Sequence, residues 1–157
     1  MKTFRIPLLI AILIMMIASS SFYYKQDTGD GKSLTQDTML KYKDGVYEGQ
    51  SQHIYKDEPY WGKVQIMIEY GRFTLVSFMI RDTNLHETFN QFYEKHFEKI
   101  PEYVEQCRND WKGVQTYPGK LLERQNLNKV DATSGATWSY NIFKASADSA
   151  LKKAVKK

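Results

Sequence analysis

The 157-residue chain predicts an α+β domain, an antiparallel sheet with a β-hairpin packed against several helices, one of them C-terminal. Three observations lead there. "KVQIMIEY" alternates, with Val64, Ile66, Ile68 and Tyr70 on one face, and "FTLVSFMI" follows as a β-rich run that is apolar on both faces. From Phe89 onward the apolar spacing changes to three and four, the helical period. Strands first and helices afterwards is the order of an α+β fold rather than of a βαβ repeat.

Taken in order, "KDGVYEGQSQ" opens the folded region near Lys41 with a short strand after an Asp44-Gly45 turn. Gly71-Arg72, a two-residue connection with Gly first, joins the two longer β-runs as a hairpin. Phe89, Phe92, Tyr93, Phe97 and Ile100 recur on one side of an amphipathic helix, and this aromatic stripe reads as core with no cofactor role. Pro101 suits the first turn of a further helix, "PEYVEQC", whose Tyr103, Val104 and Cys107 continue an apolar side. "NDWKGVQTYPGK" reads as a loop and "LLERQNL" as a short helix. In "WSYNIFKASADSALKKAVKK", Phe143, Ala147, Ala150, Leu151 and Ala154 share one side, with small residues that permit close packing.

An apolar content of 42% and an aromatic content of 14% suffice for one core. The net charge of +4 comes from scattered Lys and Arg, densest in "LKKAVKK", which reads as a solvated tail, so no nucleic-acid partner is expected. Cys107 is the single cysteine, which excludes an internal disulfide, a CxxCH haem attachment and a multi-cysteine metal centre. His53, His86 and His96 are widely spaced and form no HExxH or i,i+4 pattern, so they read as structural and no metal is expected.

Residues 1–24 begin with Lys2 and Arg5 and run apolar from Ile6 to Ala18. A spanning helix usually needs roughly 20 apolar residues; the apolar run is shorter, and counting Phe4, the serines, Phe22 and Tyr23 brings it near that length. Ala18-Ser19-Ser20 offers a small-x-small cleavage pattern, whereas Phe22 and Tyr23 suit an interfacial anchor, so the segment is either a signal peptide or a membrane anchor. Basic residues before the apolar run place the chain beyond Lys25 outside the cytoplasm in both cases. Residues 25–40, containing "QDTGDGKSLTQ", are polar and aperiodic, a flexible tether before a domain over 41–157.

"VDATSGATWSYNIF" lies between this plan and the last helix. Ser134-Gly135-Ala136-Thr137 sits at the helix entrance, where three roles are open. Serine and threonine oxygens cap free N–H groups, and Gly135 tolerates the positive φ of a sharp turn. A nucleophilic Ser134 or Thr137 would need a base, yet no histidine follows and no G-x-S-x-G elbow is present. A phosphate at the helix end is the third role, and a threonine there could carry it covalently.

"DATSGATWS" resembles the D-x-x-S/T-G-A-T motif of the FMN-binding domain family, which includes flavoprotein subunits of the Rnf and sodium-pumping NADH:quinone reductase complexes. "DGVYEGQSQ" and "GKVQIMIEYGRFTLVSFMI" resemble the family's opening strands, and Glu87-Thr88 resembles an acid-threonine pair near the flavin of some members, although Phe89-Asn90 follow where Pro-Gly is common. The resemblance implies that a flavin transferase joins FMN from FAD, through its phosphate, to Thr137. It further implies Ser134 and Ser139 as donors to the phosphate, Gly135 and Ala136 as the access for the transferase, and Asp131 as a recognition or turn-fixing acid. Trp138 would cover the flavin or pack in the core, and Glu87 and Thr88 would lie near it. The implied protein is an electron carrier rather than an enzyme, receiving electrons from a donor in the membrane and passing them to an extracytoplasmic acceptor. The competing expectation is a cofactor-free, membrane-anchored interaction domain in which the tetrapeptide only caps a helix.

Overall fold

The alternating runs form strands β1 (Gly45–Gln50), β2 (Tyr60–Glu69) and β3 (Arg72–Asp82), in a three-stranded antiparallel sheet ordered β1-β2-β3. The computed structural model describes residues 41–52 and 54–156. The anchor or signal segment at 1–24, the tether at 25–40 and His53 lie outside the described residues. Val64, Ile66 and Ile68 are buried on one face, as their alternation predicts. Phe78 and Val76 stand opposite Val64 and Ile66. A bulge between Met67 and Ile68 then shifts the register, so that Phe73, three residues before Val76, reaches the same buried face.

The hairpin departs from its expected form. The two residues between the strands are Tyr70 and Gly71, with φ of 52° and 71°, the left-handed pair of a type I′ turn, rather than Gly71-Arg72. Tyr70 is 86% exposed instead of joining the face of Val64, Ile66 and Ile68. Asp44 offsets the strain: its carboxylate accepts the N–H groups of Gly71 at 3.0 Å and Tyr70 at 2.9 Å, and these bonds hold its pKa below the ordinary range.

Two helices cover the buried face. Helix α1 runs Pro101–Arg124 and helix α2 runs Thr137–Ala154, and Tyr117, Leu121, Phe143, Ala147 and Leu151 share one core with Val64, Ile66, Ile68 and Phe73. The expected loop "NDWKGVQTYPGK" is the middle of α1, continuous with the expected helix "PEYVEQC" and with the first four residues of "LLERQNL", after which left-handed Gln125 ends the helix and Leu127 opens a 3-10 turn. Its Gly, Thr and Pro residues argue against a helix locally, but Asp110, Gly113, Val114, Tyr117, Pro118, Leu121 and Leu122 fall on one buried stripe. Packing of that stripe outweighs propensity. Thr116 Oγ1 donates to the carbonyls of Lys112 and Gly113 in the turn before Pro118.

The expected helix over Phe89–Ile100 is mostly something else. Residues after β3 fold back along it, with Arg81 bridged to Thr88 and the Phe89 N–H donating to Ile80 O, and only Tyr93–Phe97 forms a short 3-10 turn. Asp82 starts this reversal by accepting the N–H groups of Asn84 and Leu85. Phe89 and Tyr93 are buried, whereas Phe92 is 67% exposed, so the stripe is not one helical face.

Helix α2 approaches the sheet at backbone distance. A Cβ at Gly49 would lie 2.1 Å from Ser146 O, and one at Gly62 would lie 2.5 Å from Ile142 Cγ2. Glycine on the strands and Ser146, Ala147 and Ala150 on the helix make the approach possible, as the run of small residues predicts. Among the described residues no helix is long and apolar enough to cross a membrane. Gly49→Ala is expected to cost about 1–3 kcal/mol through overpacking, read as a lower urea midpoint with unchanged slope.

Candidate functional site

The motif is held from beneath by α1. Tyr117 Oη donates to Ala136 O at 2.7 Å and accepts the Thr133 N–H at 3.3 Å, while Lys120 Nζ donates to Asp131 O and Thr133 Oγ1. Burial pushes the Tyr117 pKa up, which keeps the hydroxyl a donor. Gly135 has φ of 74°, and a Cβ there would lie 2.9 Å from Asn109 Nδ2, so both conformation and space require glycine. Gln106 Nε2 donates to Gly135 O at 3.1 Å and also to Asp110 Oδ2.

Asp110 caps α2 from the neighbouring helix. Its Oδ1 accepts the Ser139 N–H at 3.0 Å and the Ser139 hydroxyl at 2.7 Å, all buried. Capping by Ser134 to Ser139 themselves, one of the three roles left open, is not what starts the helix. The N-cap position is Ala136, which has no side-chain capping bond, and Thr137 is the first helical residue. Tyr140 N–H donates to Ala136 O and Ser139 N–H to Asp110, whereas the N–H groups of Thr137 and Trp138 have no acceptor among the described residues. An exposed Thr137 hydroxyl therefore lies beside two free backbone donors at the positive end of an 18-residue helix.

Thr137 also stands at the edge of a cavity of about 500 Å³ whose walls include Tyr60, Phe89, Tyr93, Phe97, Tyr103 and Trp138. Trp138 meets Tyr60 edge-on at 5.0 Å between ring centroids and Phe89 at 5.5 Å, and its Nε1 donates to Glu58 Oε2 at 2.6 Å. Tyr93 Oη donates to Asp82 Oδ2, and the Tyr60 and Tyr93 hydroxyls lie 3.1 Å apart. Burial, then the bond to Asp82, drives the Tyr93 pKa far up. Burial alone would raise Asp82, but the bonds from Tyr93 and from the Leu85 and Asn84 N–H groups outweigh it, and its pKa is lowered. Cys107, also in the wall, is pushed up to about 11 by burial and then by Asp110 and Glu94, so it is a neutral thiol.

Of the residues singled out in the sequence, Thr137 and Trp138 line the cavity, Ala136 and Ser139 are buried in the motif's supports, and Gly135 forms its turn. Ser134 and Asp131 are exposed in the same segment. Glu87 points to Lys95 and His96, at 3.1 Å and 3.0 Å, and Thr88 pairs with Arg81; neither lines the cavity. The aromatic stripe has more than a core role, since Phe89, Tyr93 and Phe97 are cavity walls. Spacing alone gives no signal that these residues converge with Tyr60 from β2 and Tyr103 from α1.

Fold and site define a small α+β domain suited to a planar aromatic ligand with an anionic end: flat apolar walls for the ring and free N–H groups for the anion. The model of the FMN-binding domain family matches residues 60–152, more than half of the chain, and the protein belongs to that family. FMN, with its flat isoalloxazine ring and terminal phosphate, fits the cavity and the helix end in both respects. A crystal structure of a Clostridium perfringens protein is similar in fold, with a TM-score of 0.58 and 24% identity over 72% of this chain and 88% of that one. A comparison with curated proteins finds no match.

Asp110→Ala is expected to remove about 2–3 kcal/mol of stability, by leaving the buried Ser139 N–H and hydroxyl without their acceptor. Urea unfolding measures the loss, and hydrogen exchange should show faster exchange at the Ser139 amide. A second expectation concerns acid. Because the folded-state pKa of Asp82 lies below its ordinary value of 3.8, its contribution is complete above that value and is lost as pH falls through the folded-state pKa. The stability gap between wild type and Asp82→Asn, followed by urea midpoints from pH 7 to pH 3, should therefore narrow on the acid side.

Proposed function

We propose that the protein is an extracytoplasmic, membrane-associated electron carrier that holds FMN covalently through a phosphoester on Thr137. The observation that carries this is the place of Thr137, an exposed hydroxyl at the first position of α2, beside two free N–H groups and on the edge of an aromatic cavity. Thr137 is not the capping residue: the N-cap position is Ala136, and no side chain of the motif makes a capping bond there.

Charge supports an ester over a salt-bridged phosphate. Glu58 and Asp110 line the cavity, and none of its described lining residues is Lys or Arg. The free N–H groups and the helix dipole attract an anion, worth typically 0.3–1 kcal/mol for the dipole at an exposed helix end, and this is too little to retain a soluble cofactor. Attachment by a flavin transferase balances as a phosphoryl transfer. Thr137 Oγ1 gains the bond to the FMN phosphorus, the pyrophosphate bond of FAD breaks, AMP leaves and the hydroxyl proton passes to solvent. Bound FMN supplies transfer of one or two electrons, which the protein side chains cannot.

The chain's own residues would hold the ring against aromatic walls, keep water from its apolar side and steady the ester through the Asp110–Ser139 cap. Lys2 and Arg5 ahead of the apolar run support placement outside the cytoplasm, where a dissociated cofactor would be lost by dilution. The segment 25–40 would give the domain a typical reach of roughly 20 Å, from 5 to 6 Å times the square root of residue number, enough to move between a membrane donor and an outer acceptor.

Co-expression with an active flavin transferase, followed by denaturing electrophoresis, tests the ester. Flavin fluorescence is expected on the wild-type band and not on Thr137→Ala, with the native fold of the variant checked by circular dichroism. Absence of fluorescence from the wild type would return the motif to a helix start in a cofactor-free interaction domain.

A further inference from the structure

Behind the cavity lies a polar chain that flavin attachment does not use. Asp82 is 2% exposed at the end of β3 and accepts three hydrogen bonds: from the N–H groups of Asn84 at 2.7 Å and Leu85 at 3.0 Å on Oδ1, and from Tyr93 on Oδ2. A phenol has one proton. Since Tyr93 gives its proton to the carboxylate, the contact of 3.1 Å between Tyr93 and Tyr60 leaves Tyr60 as the donor and Tyr93 as the acceptor. Both hydroxyl protons therefore point along the chain toward Asp82, which is not among the residues lining the cavity. His96 closes the chain from outside, its ring 4.9 Å from that of Tyr93 and its Nε2 engaged with Glu87.

We propose that Asp82 is a positioning residue that turns the Tyr60–Tyr93 chain inward, so that the cavity wall offers the bound flavin ring an oxygen acceptor backed by negative charge. The proposal rests on the reading of the cavity as the flavin site. Reduction raises electron density on the ring. A wall that presents lone pairs and a buried carboxylate opposes that rise, and one that presents a hydroxyl proton supports it. Asparagine at position 82 reverses the chain: its Oδ1 still accepts the Asn84 and Leu85 N–H groups, its NH₂ donates to Tyr93, Tyr93 donates to Tyr60, and the Tyr60 proton is left to the cavity. The Asp82–Tyr93 pair thus selects the polarity of the wall, while the aromatic rings only shape it.

The test uses flavin-loaded protein equilibrated with a reference redox dye, together with flavin-free protein produced without the transferase. Asp82→Asn should shift the redox equilibrium at least threefold toward reduced flavin, and Tyr93→Phe should shift it in the same direction by freeing the Tyr60 proton. In a background in which Tyr60 and Tyr93 are both replaced by Phe, the shift caused by Asp82→Asn should shrink by at least half, since no hydroxyl remains to be reversed. A shift of equal size in both backgrounds would mean that the charge alone acts, and an unchanged equilibrium in folded, loaded Asp82→Asn would mean that the chain is structural; either overturns the proposal. In flavin-free protein, the Tyr93 hydroxyl proton should appear as a downfield, slowly exchanging NMR resonance that moves upfield in Asp82→Asn. Its absence, or its indifference to the substitution, also overturns the proposed chain direction. Wild-type protein that never acquires flavin would defeat the functional reading, while the same spectra would still decide which way the hydroxyls point.

Discussion

The close approach of α2 to the sheet fixes everything else about the site. At Gly49 and Gly62 the strands offer no side chain, and the facing helix offers Ser146, Ala147 and Ala150, so the two backbones lock with little lateral freedom. Ser146 adds direction to the contact: its hydroxyl accepts the Ser51 N–H at 3.1 Å, and the Ser51 hydroxyl accepts the Gly62 N–H at 2.7 Å. The N-terminal end of α2 is thereby carried to the end of the hairpin where Tyr60 and Asp82 face each other across β2 and β3. Thr137 reaches the aromatic cavity because the helix cannot sit elsewhere.

Helix α1 supplies what the sheet cannot, the chemistry of the helix end. An α-helix begins with four N–H groups that lack internal partners. Here Asp110 takes one of them, at Ser139, and those of Thr137 and Trp138 stay free. A side-chain cap from Ser134 or Thr137 would have consumed a donor and turned a hydroxyl inward. Capping from the neighbouring helix leaves the Thr137 hydroxyl and the two donors uncommitted, and it ties their position to a buried carboxylate held by Ser139 and Gln106.

How far the sequence carries can be judged element by element. The period-two run of Val64, Ile66 and Ile68 and the small-residue side of α2 were legible because one face decides each of them. The middle of α1 was not, because Gly113 and Pro118 are poor helix formers whose placement depends on a partner. A Cβ at Gly113 would meet Ser139 Oγ at 2.7 Å, so that glycine exists for the packing of α1 on α2, which no local pattern contains. The turn at Tyr70-Gly71 escaped for a similar reason, since the carboxylate that stabilises a left-handed tyrosine is Asp44, far back in the chain and just ahead of β1. The motif itself was legible by resemblance, with Thr137 at a helix start, while the cavity beside it was not. Its walls come from β2, the return segment and both helices, and aromatic residues at those positions look like ordinary core until they are seen to enclose space.

The cavity's own polarity argues for the division of labour between attachment and tuning. Its charged lining residues, Glu58 and Asp110, are each engaged with a neighbour, Glu58 with the Trp138 indole and Asp110 with Ser139 and Gln106, while the buried charge of Asp82 stands one tyrosine behind the wall. A site that retained an anionic cofactor by charge would need cations within a few ångströms, and those cations would draw electron density to the ring and fix its potential as a by-product of binding. An ester separates the two demands. Once a covalent bond at the helix end holds the phosphate, the groups around the ring are free to disfavour or favour added electron density without any effect on retention, and carboxylates beside an anionic cofactor become tolerable. The arrangement of acids around an aromatic cavity, with the exposed Thr137 at its edge, is intelligible on the proposed ester, which asks no cation of the cavity wall.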